Sequence, residues 1–150
     1  MYHAMVKRIA RKNFERVNQH DFDALLSDCV PNIRHQFAGH HAMGGVRNDR
    51  QALRRWFERL KTVMPDLKFS VKDVWVKGWP HNTTIIIRWE ARATLLDGSP
   101  YRNRGVHLVS MRWGKMVDID AHEDSQAVVN CLAAQARNGV AEAAAEPILS

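Results

Sequence analysis

The sequence is poor in cysteine and has no long apolar run, and each shortage excludes a class of protein. Only two cysteines occur in 150 residues. Cys29 and Cys131 fit no metal-ligand spacing and lie among apolar neighbours, so we expect two small core side chains rather than a disulfide. The longest apolar run is a few residues, too short to span a bilayer. The basic N-terminus lacks the apolar centre of a secretory signal, which predicts a cytoplasmic protein.

The remaining composition is that of an ordinary globular domain with a basic balance. Hydrophobic residues make up 45% and charged residues 25% of the chain, and its length suits one domain with a core. The net charge of +6 raises the question of an acidic partner such as nucleic acid. The basic residues cluster in 7–16 and 47–61, which both have helical patterns. A solvated helix face is the commoner explanation, so nucleic acid is the weakest of the partners considered.

Apolar residues recur at helical spacing in four segments of the chain. Asp21 can cap the second helix, Asn48 or Asp49 the third, and Asp124 or Ser125 the last. The Ala-rich tail after residue 137 either extends the last helix or docks on a neighbouring subunit. The apolar stripes of the four segments are Val6, Ile9, Ala10, Phe14 and Val17; Phe22, Leu25, Leu26 and Cys29; Leu53, Trp56, Phe57 and Leu60; and Val128, Val129, Leu132 and Ala136.

The second half of the chain changes to a period of two, which is typical of strands. One short strand is also predicted early, at residues 32–39, before a Gly-containing loop. Four long strands follow the third helix, at 67–77, 82–96, 101–113 and 115–122. Helices with one early strand, followed by a run of strands, favour the α+β class. We expect one domain over residues 1–137, a curved antiparallel sheet that wraps about three helices and encloses a cavity, followed by a tail over 138–150.

The strand TTIIIRWEARAT, residues 83–94, carries an apolar row beside a charged row. Ile85, Ile87, Trp89 and Ala91 share one face, and the alternate positions are charged from Arg88 onward. Two interpretations stay open. The charged row either pairs across strands on an outer face or lines the polar mouth of a pocket.

Three segments carry a family resemblance through their order and spacing. NIRHQFAGHHAMGGVRNDRQALRRWF has a strand, a Gly-rich loop and a helix start, and IIIRWEARAT is a central strand. GVHLVSMRWGKMVDIDAHED is a hairpin with a turn at Gly114 and Lys115, ending at Asp124 before the final helix. Together, over about residues 6–137, these segments resemble the SnoaL-like branch of the nuclear transport factor 2-like superfamily.

The resemblance implies a fold and a range of activities. The family fold is a cone, in which helices close a bent antiparallel sheet and leave a pocket at its open end. Relatives include ketosteroid isomerase, scytalone dehydratase, limonene epoxide hydrolase and polyketide cyclases, and members often dimerise through the outer sheet face. Other members only bind partners, so the fold does not determine the function.

The chemistry of these relatives requires an acid or base in an apolar cavity, where burial raises the pKa of a carboxyl group. Asp120 and Glu90 are the candidates for this role. Arg88-Trp89-Glu90 resembles the Arg-x-Asp pair of the epoxide hydrolases. However, Ala121 stands where those enzymes have their second aspartate, which argues against epoxide hydrolysis.

Histidines and aromatic residues complete the candidate site. His35 and His107 share strand faces with apolar residues, so each is either a core side chain or a proton shuttle. His40 and His41 with His35 suggest a metal cluster, but no carboxylate lies at ligand spacing, so no metal or other cofactor is predicted. The predicted site comprises catalytic Asp120, Glu90 and His35, and ligand-binding Phe37, Trp56, Trp75, Trp89, His107 and His122.

Two functional hypotheses follow from the sequence. The first is a cofactor-independent isomerase, dehydratase or cyclase that moves a proton on a small hydrophobic molecule, with a histidine stabilising the oxyanion. The second is a non-catalytic ligand-binding or dimerisation module, whose cavity would contain no carboxylate. Under both hypotheses we expect a homodimer through the outer sheet face and no membrane partner.

Overall fold

The helices and long strands expected from periodicity are present in the computed structural model, which describes residues 1–150. Helices α1 to α4 span Tyr2–Asn18, Phe22–Ser27, Arg50–Val63 and Ser125–Arg137, and a short 3-10 helix spans Ala141–Ala144. Strands β1 to β6 span Cys29–Phe37, Gly45–Arg47, Lys68–Trp79, Asn82–Thr94, Pro100–Arg112 and Lys115–Glu123. The architecture is the predicted α+β cone, a curved and unclosed sheet covered by helices.

Aspartate side chains determine where three of the helices begin. At the start of α3, Asp49 Oδ1 accepts a hydrogen bond from the backbone N–H of Ala52 at 2.8 Å. Asp21 and Asp124 do the same for α2 and α4. Each side chain satisfies a backbone donor that has no partner within its helix, which explains why the caps were predictable from sequence.

The sheet is mixed and has one strand more than predicted, whereas the sequence predicted an antiparallel sheet. The strand order is β2-β1-β6-β5-β4-β3, and β3 to β6 form the expected antiparallel meander. β1 lies parallel to β6, with His35 opposite Ile119. β2 falls in the predicted Gly-containing loop and pairs with β1 at the sheet edge. Register shifts in the β3–β4 and β5–β6 pairs are bulges of the kind that bend a sheet.

Burial along β4 identifies the inner face of the bent sheet. Ile85, Trp89 and Ala91 are between 2% and 6% exposed. Arg88 and Glu90, at the alternate positions, are exposed. The apolar row therefore packs into the core beneath the helices, and the charged row lies on the outer face, which is the first of the two interpretations left open by the sequence.

The hydrophobic core is continuous across the domain and contains both cysteines. Its 33 buried hydrophobic residues come from the helices and from the inner face of the sheet. Cys29 and Cys131 are both buried and free, as predicted. None of the helices combines the length and apolar character needed to cross a membrane.

Residues 138–150 pack against their own chain rather than extending α4. The helix stops before Gly139, whose φ of 93° lies in the left-handed region. Beyond it, Arg47 Nε donates to the carbonyl of Ile148 at 2.9 Å. Arg59 bonds two glutamates of the same segment, one through its carboxylate and one through its backbone carbonyl. These contacts differ from the sequence expectation of a longer helix or a tail docked on a neighbour.

Gly105 allows a close approach on the inner face, and its substitution tests the packing there. A Cβ at this position would lie 2.5 Å from Cζ2 of Trp89 and would also collide with the backbone oxygen of His122. We expect Gly105→Ala to lower the free energy of unfolding by about 1–3 kcal/mol, because a rigid backbone contact cannot relax. Denaturant unfolding measures this change, with Ser110→Ala on the same strand as the control. Equal stability of Gly105→Ala and the wild type would contradict the packing.

Candidate functional site

A cavity of about 100 Å³ lies between α1, α3 and the inner face of the sheet. Of the 28 residues that line it, 23 are hydrophobic, which suits a small molecule with little polar surface. The remaining five residues supply its polar chemistry. They are Asn13, His35, Asn103, His107 and Glu123.

Five of the nine predicted site residues line this cavity. His35 and Phe37 come from β1, Trp56 from α3, Trp89 from β4 and His107 from β5. At one end, the ring of Trp56 lies 4.5 Å from that of His35 and 5.4 Å from that of Phe37, measured between centroids. Trp56 and Phe37 therefore form an aromatic wall beside the polar imidazole ring of His35.

The other four predicted residues lie on the outer face and do not line the cavity. Strand neighbours face opposite ways, so the inward side chains of β4 and β6 turn Glu90, Asp120 and His122 outward. There Glu90 pairs with Lys72 at 3.5 Å, and Asp120 contacts His122 at 3.1 Å. Trp75 is 49% exposed on the outer face of β3. These four residues therefore do not line the cavity, although the sequence assigned them to the site.

His107 is oriented by an indole N–H group. Trp89 Nε1 donates to His107 Nδ1 at 2.7 Å. Because the indole can only donate, Nδ1 is the acceptor and Nε2 carries the proton of the neutral ring. Burial lowers the pKa of His107 to about 4; His122 acts in the same direction and Asp120 opposes it. The ring is therefore neutral near pH 7 and can donate a hydrogen bond through Nε2.

His35 is oriented in the same sense by an arginine. His35 and Arg47 face each other across the β1–β2 pair, and Arg47 Nη1 lies 2.5 Å from His35 Nδ1. A guanidinium group has no acceptor, so Nδ1 accepts and Nε2 carries the proton. The pKa of His35 lies well below its usual value, mainly because of burial and then because of the charge on Arg47. His35 is thus a second neutral donor.

Glu123 lines the cavity and is absent from the site that the sequence predicted. Its Oε1 accepts from Ser125 Oγ at 3.1 Å, whereas Oε2 is buried without a partner. Burial raises the pKa of Glu123 to about 7, so both protonation states are populated near neutral pH. A signal was available in the sequence, because the inward row of Ile119 and Ala121 reaches Glu123 at the next step of two.

Tyr101 and Asn103 were also missed and form a polar pair near Glu123 in the cavity lining. Asn103 Nδ2 donates to the Tyr101 hydroxyl at 2.8 Å, and Asn103 Oδ1 accepts from the backbone of Asp124 at 3.1 Å. Burial raises the pKa of Tyr101, so the phenol keeps its proton. The hydroxyl oxygen already accepts a bond, which leaves its hydrogen for a ligand acceptor.

The histidines of the β1–β2 loop do not assemble a metal site with their neighbours. No group of three or more histidine, cysteine, aspartate or glutamate side chains is arranged to hold a metal ion. His41 Nδ1 instead accepts from the backbone N–H of Met43 at 3.2 Å. The polar chemistry of the cavity therefore consists of one carboxyl group of raised pKa and several neutral donors.

The raised pKa of Glu123 predicts a specific pH dependence of stability. Its ordinary pKa is 4.5 and its pKa in the folded protein is about 7. Between these values the folded chain holds a proton that the unfolded chain releases, so this contribution is present below about pH 4.5 and is lost as the pH rises through 7. We expect the free energy of unfolding of Glu123→Gln, relative to the wild type, to increase from pH 4.5 to 7. Denaturant unfolding across this range measures the difference, and a constant difference would contradict the assignment.

Comparison with known proteins places this geometry in a family. The family model of the SnoaL-like domain matches residues 10–119. PrhC from Penicillium brasilianum has a similar structure, with a TM-score of 0.80 and 18% identity, covering 95% of each chain. An NTF2-like protein of unknown function from Burkholderia pseudomallei aligns with a TM-score of 0.74 and 16% identity, covering 83% of this chain and 95% of that one. A predicted polyketide cyclase from Xanthomonas campestris aligns with a TM-score of 0.63 and 14% identity, covering 84% and 95% respectively.

The structural neighbours support the fold, and the family model supports the family. No curated protein sequence matches the chain. At identities below 20%, the structural matches concern the cone and not its chemistry. The family model, in contrast, covers more than half of the sequence. The chain is therefore a member of the SnoaL-like family, with the NTF2-like cone fold.

Proposed function

We propose that the protein binds a small hydrophobic molecule in its cavity and moves a proton on it, as a cofactor-independent isomerase, dehydratase or cyclase. The observation that carries this proposal is Glu123, whose carboxyl oxygen Oε2 is buried without a partner in an apolar lining. The role that the sequence suggested for Asp120 and Glu90 passes to Glu123. The likeness to the Xanthomonas protein, a predicted polyketide cyclase, is compatible with this class of chemistry.

The proposed reaction is a proton transfer next to a carbonyl group. Ionised Glu123 takes a proton from the carbon beside the carbonyl, the C–H electron pair moves into the enolate, and negative charge develops on oxygen. His107 or His35 donates its Nε2–H to that oxygen, with Trp89 and Phe37 forming the wall. Protonated Glu123 then returns the proton to a carbon of the same ligand. A pKa of about 7 suits both halves of this cycle.

The alternative, a non-catalytic binding module, was expected to have no carboxyl group in its cavity. A structural role for Glu123 would also be expected to satisfy both of its oxygens, since an unpaired buried polar atom is costly. Glu123 satisfies only one. This observation favours proton transfer over binding alone.

Proton exchange provides the test of this role. In D2O, cyclic ketones from cyclohexanone to 2-tetralone exchange the protons beside their carbonyl group, and NMR follows this exchange with and without the protein. We expect the wild type to accelerate exchange and Glu123→Gln to reduce the acceleration at least about 100-fold, as is usual for loss of a general base.

Two further variants make the result specific. Asp118→Asn makes the same change of carboxylate to amide on the outer face of β6 and should leave the exchange rate unchanged. Loss of exchange in Glu90→Gln, with exchange intact in Glu123→Gln, would return the role to the residue first suggested by the sequence. If the protein binds the ketones but does not accelerate proton exchange, the alternative of a non-catalytic binding module is the one that remains.

We also propose that two copies associate through the outer sheet face. Trp75, Ile86 and Leu108 lie side by side across β3, β4 and β5 in the strand register. Trp75 and Leu108 are 49% and 37% exposed, which is unusual for large apolar side chains that are neighbours. Charged pairs such as Arg88–Asp73 flank this row, so a two-fold related copy offers both signs of charge to its partner.

The apolar row predicts a substitution that separates the copies. Leu108→Asp places a charge at the end of the row that lies beside Asp120 in the register. We expect at least a tenfold weaker dimer in sedimentation equilibrium, because burial of an unpaired carboxylate is costly. Leu96→Asp alters an exposed leucine in a turn and is the control. Unchanged association of Leu108→Asp would move the interface elsewhere.

A further inference from the structure

Arg47 is a fully buried positive charge without a carboxylate partner. Its side chain is 0% exposed. Nε donates to the carbonyl of Ile148 at 2.9 Å, Nη2 to the carbonyl of Gly44 at 2.8 Å, and Nη1 to His35 Nδ1 at 2.5 Å. Burial lowers its pKa to about 10, so the guanidinium remains charged at neutral pH. All three of its acceptors are neutral groups, which leaves the charge itself uncompensated.

The groups around Arg47 do not supply the missing negative charge. Arg59 is a second cation nearby and is itself paired with Glu142 at 2.6 Å. His35 and His107 are neutral. The one carboxyl group in the cavity lining, that of Glu123, lies four residues further along β6 than Ile119, the residue opposite His35, and it makes its only hydrogen bond with Ser125. The end of the cavity at His35 therefore has a buried cation to which no carboxylate is hydrogen-bonded.

We propose that Arg47 is a positioning residue that fixes His35 as a neutral Nε2–H donor, and that this end of the cavity binds the oxygen of a phenol- or enol-type ligand as its anion. The inference rests on the proposed function for the location of the ligand in the cavity, but it does not depend on turnover. Arg47 itself does not touch the ligand, and it acts through the ring of His35.

The physical basis is the way a buried cation selects among otherwise similar ligands. A buried charge without an opposite charge is unfavourable, and an anion that enters the same low-dielectric region relieves that cost. A hydrogen bond from Nε2–H to an anionic oxygen is stronger than one to a neutral hydroxyl. The aromatic rings of Trp56 and Phe37 beside His35 supply a surface for the flat apolar body of such a ligand. An aryl ether of the same shape has the same flat apolar ring but cannot form an anion, so it should not gain from the buried charge.

A matched pair of probes tests the anion preference in the wild type. 4-Nitrophenol ionises to an anion that absorbs visible light, whereas 4-nitroanisole has the same ring without an ionisable proton. Below the pKa of free nitrophenol, we expect binding to increase the visible absorption, because the site selects the anion. At a pH where the free phenol is ionised, it should bind at least about tenfold more tightly than nitroanisole. Binding as the neutral phenol, or equal affinity for the two probes, would overturn the proposal.

Nitrogen NMR and one variant test the positioning role. In the wild type at neutral pH, the 15N shifts of His35 should report Nδ1 without a proton and Nε2 with one. Arg47→Met should remove this fixed tautomer and weaken anion binding at least about tenfold while leaving nitroanisole affinity unchanged. Arg54→Met on the exposed face of α3 is the control for loss of one arginine. A protonated Nδ1 in the wild type, or unchanged anion preference in folded Arg47→Met, would overturn the role.

The proposal can still be tested if Arg47→Met does not fold. In that case the nitrophenol comparison and the His35 tautomer in the wild type decide the proposal by themselves. His35→Phe preserves an aromatic ring of similar size and should lose the preference for the anion while still binding nitroanisole. Binding of the anion without ketone exchange would leave this inference standing and remove the proposed catalysis. Ketone exchange without anion preference would do the reverse.

Discussion

Alternation of side chains along the long strands is the constraint on which the site depends. A bent sheet has one interior, so each strand residue is committed either to the cavity or to the outer face. This commitment separates Trp89 from Glu90 although they are neighbours in sequence. It also separates Ala121 from Asp120, and it brings Glu123 inward at the next step. A shift of one residue in the register of β6 would exchange its inward and outward carboxyl groups, and the cavity would lose Glu123.

Four polar groups at the cavity each have one side bonded to the protein and another side free. Arg47 orients His35, Trp89 orients His107, Ser125 bonds one oxygen of Glu123, and Asn103 bonds the hydroxyl of Tyr101. The bonded side decides which proton or lone pair is presented to a ligand. The indole and the guanidinium can only donate, so the Nδ1 atom of each histidine must accept, and the proton of the neutral ring is on Nε2. Preorganised groups of this kind stabilise developing charge without rearranging during a reaction.

The elements of this fold were predictable from local patterns, and their long-range contacts were not. Period-two and helical spacing located the long strands and the helices. Three helix starts were located by Asp21, by Asn48 or Asp49, and by Asp124 or Ser125, and in each case the aspartate is the cap. The parallel pairing of β1 with β6 and the short strand β2 depend on contacts between distant residues, which no local pattern records. The same limit applies to the site. His35 and Phe37 were identified from the sequence, but the pairing of His35 with Arg47 requires the β1–β2 register. Glu123 was within reach of the period-two argument, had the inward row been followed to the end of its strand.

The protonation states of the cavity indicate that it is maintained at a cost to stability. The histidines have lowered pKa values, so they favour unfolding as the pH falls below about 6.5, where the unfolded chain gains their protons. Glu123 acts in the opposite direction, because its raised pKa favours unfolding as the pH rises above about 4.5. Near pH 6 both effects oppose folding at once, and apolar residues at these positions would avoid them. The 33-residue core tolerates this cost, which is the pattern expected where titratable groups are retained for chemistry rather than for stability.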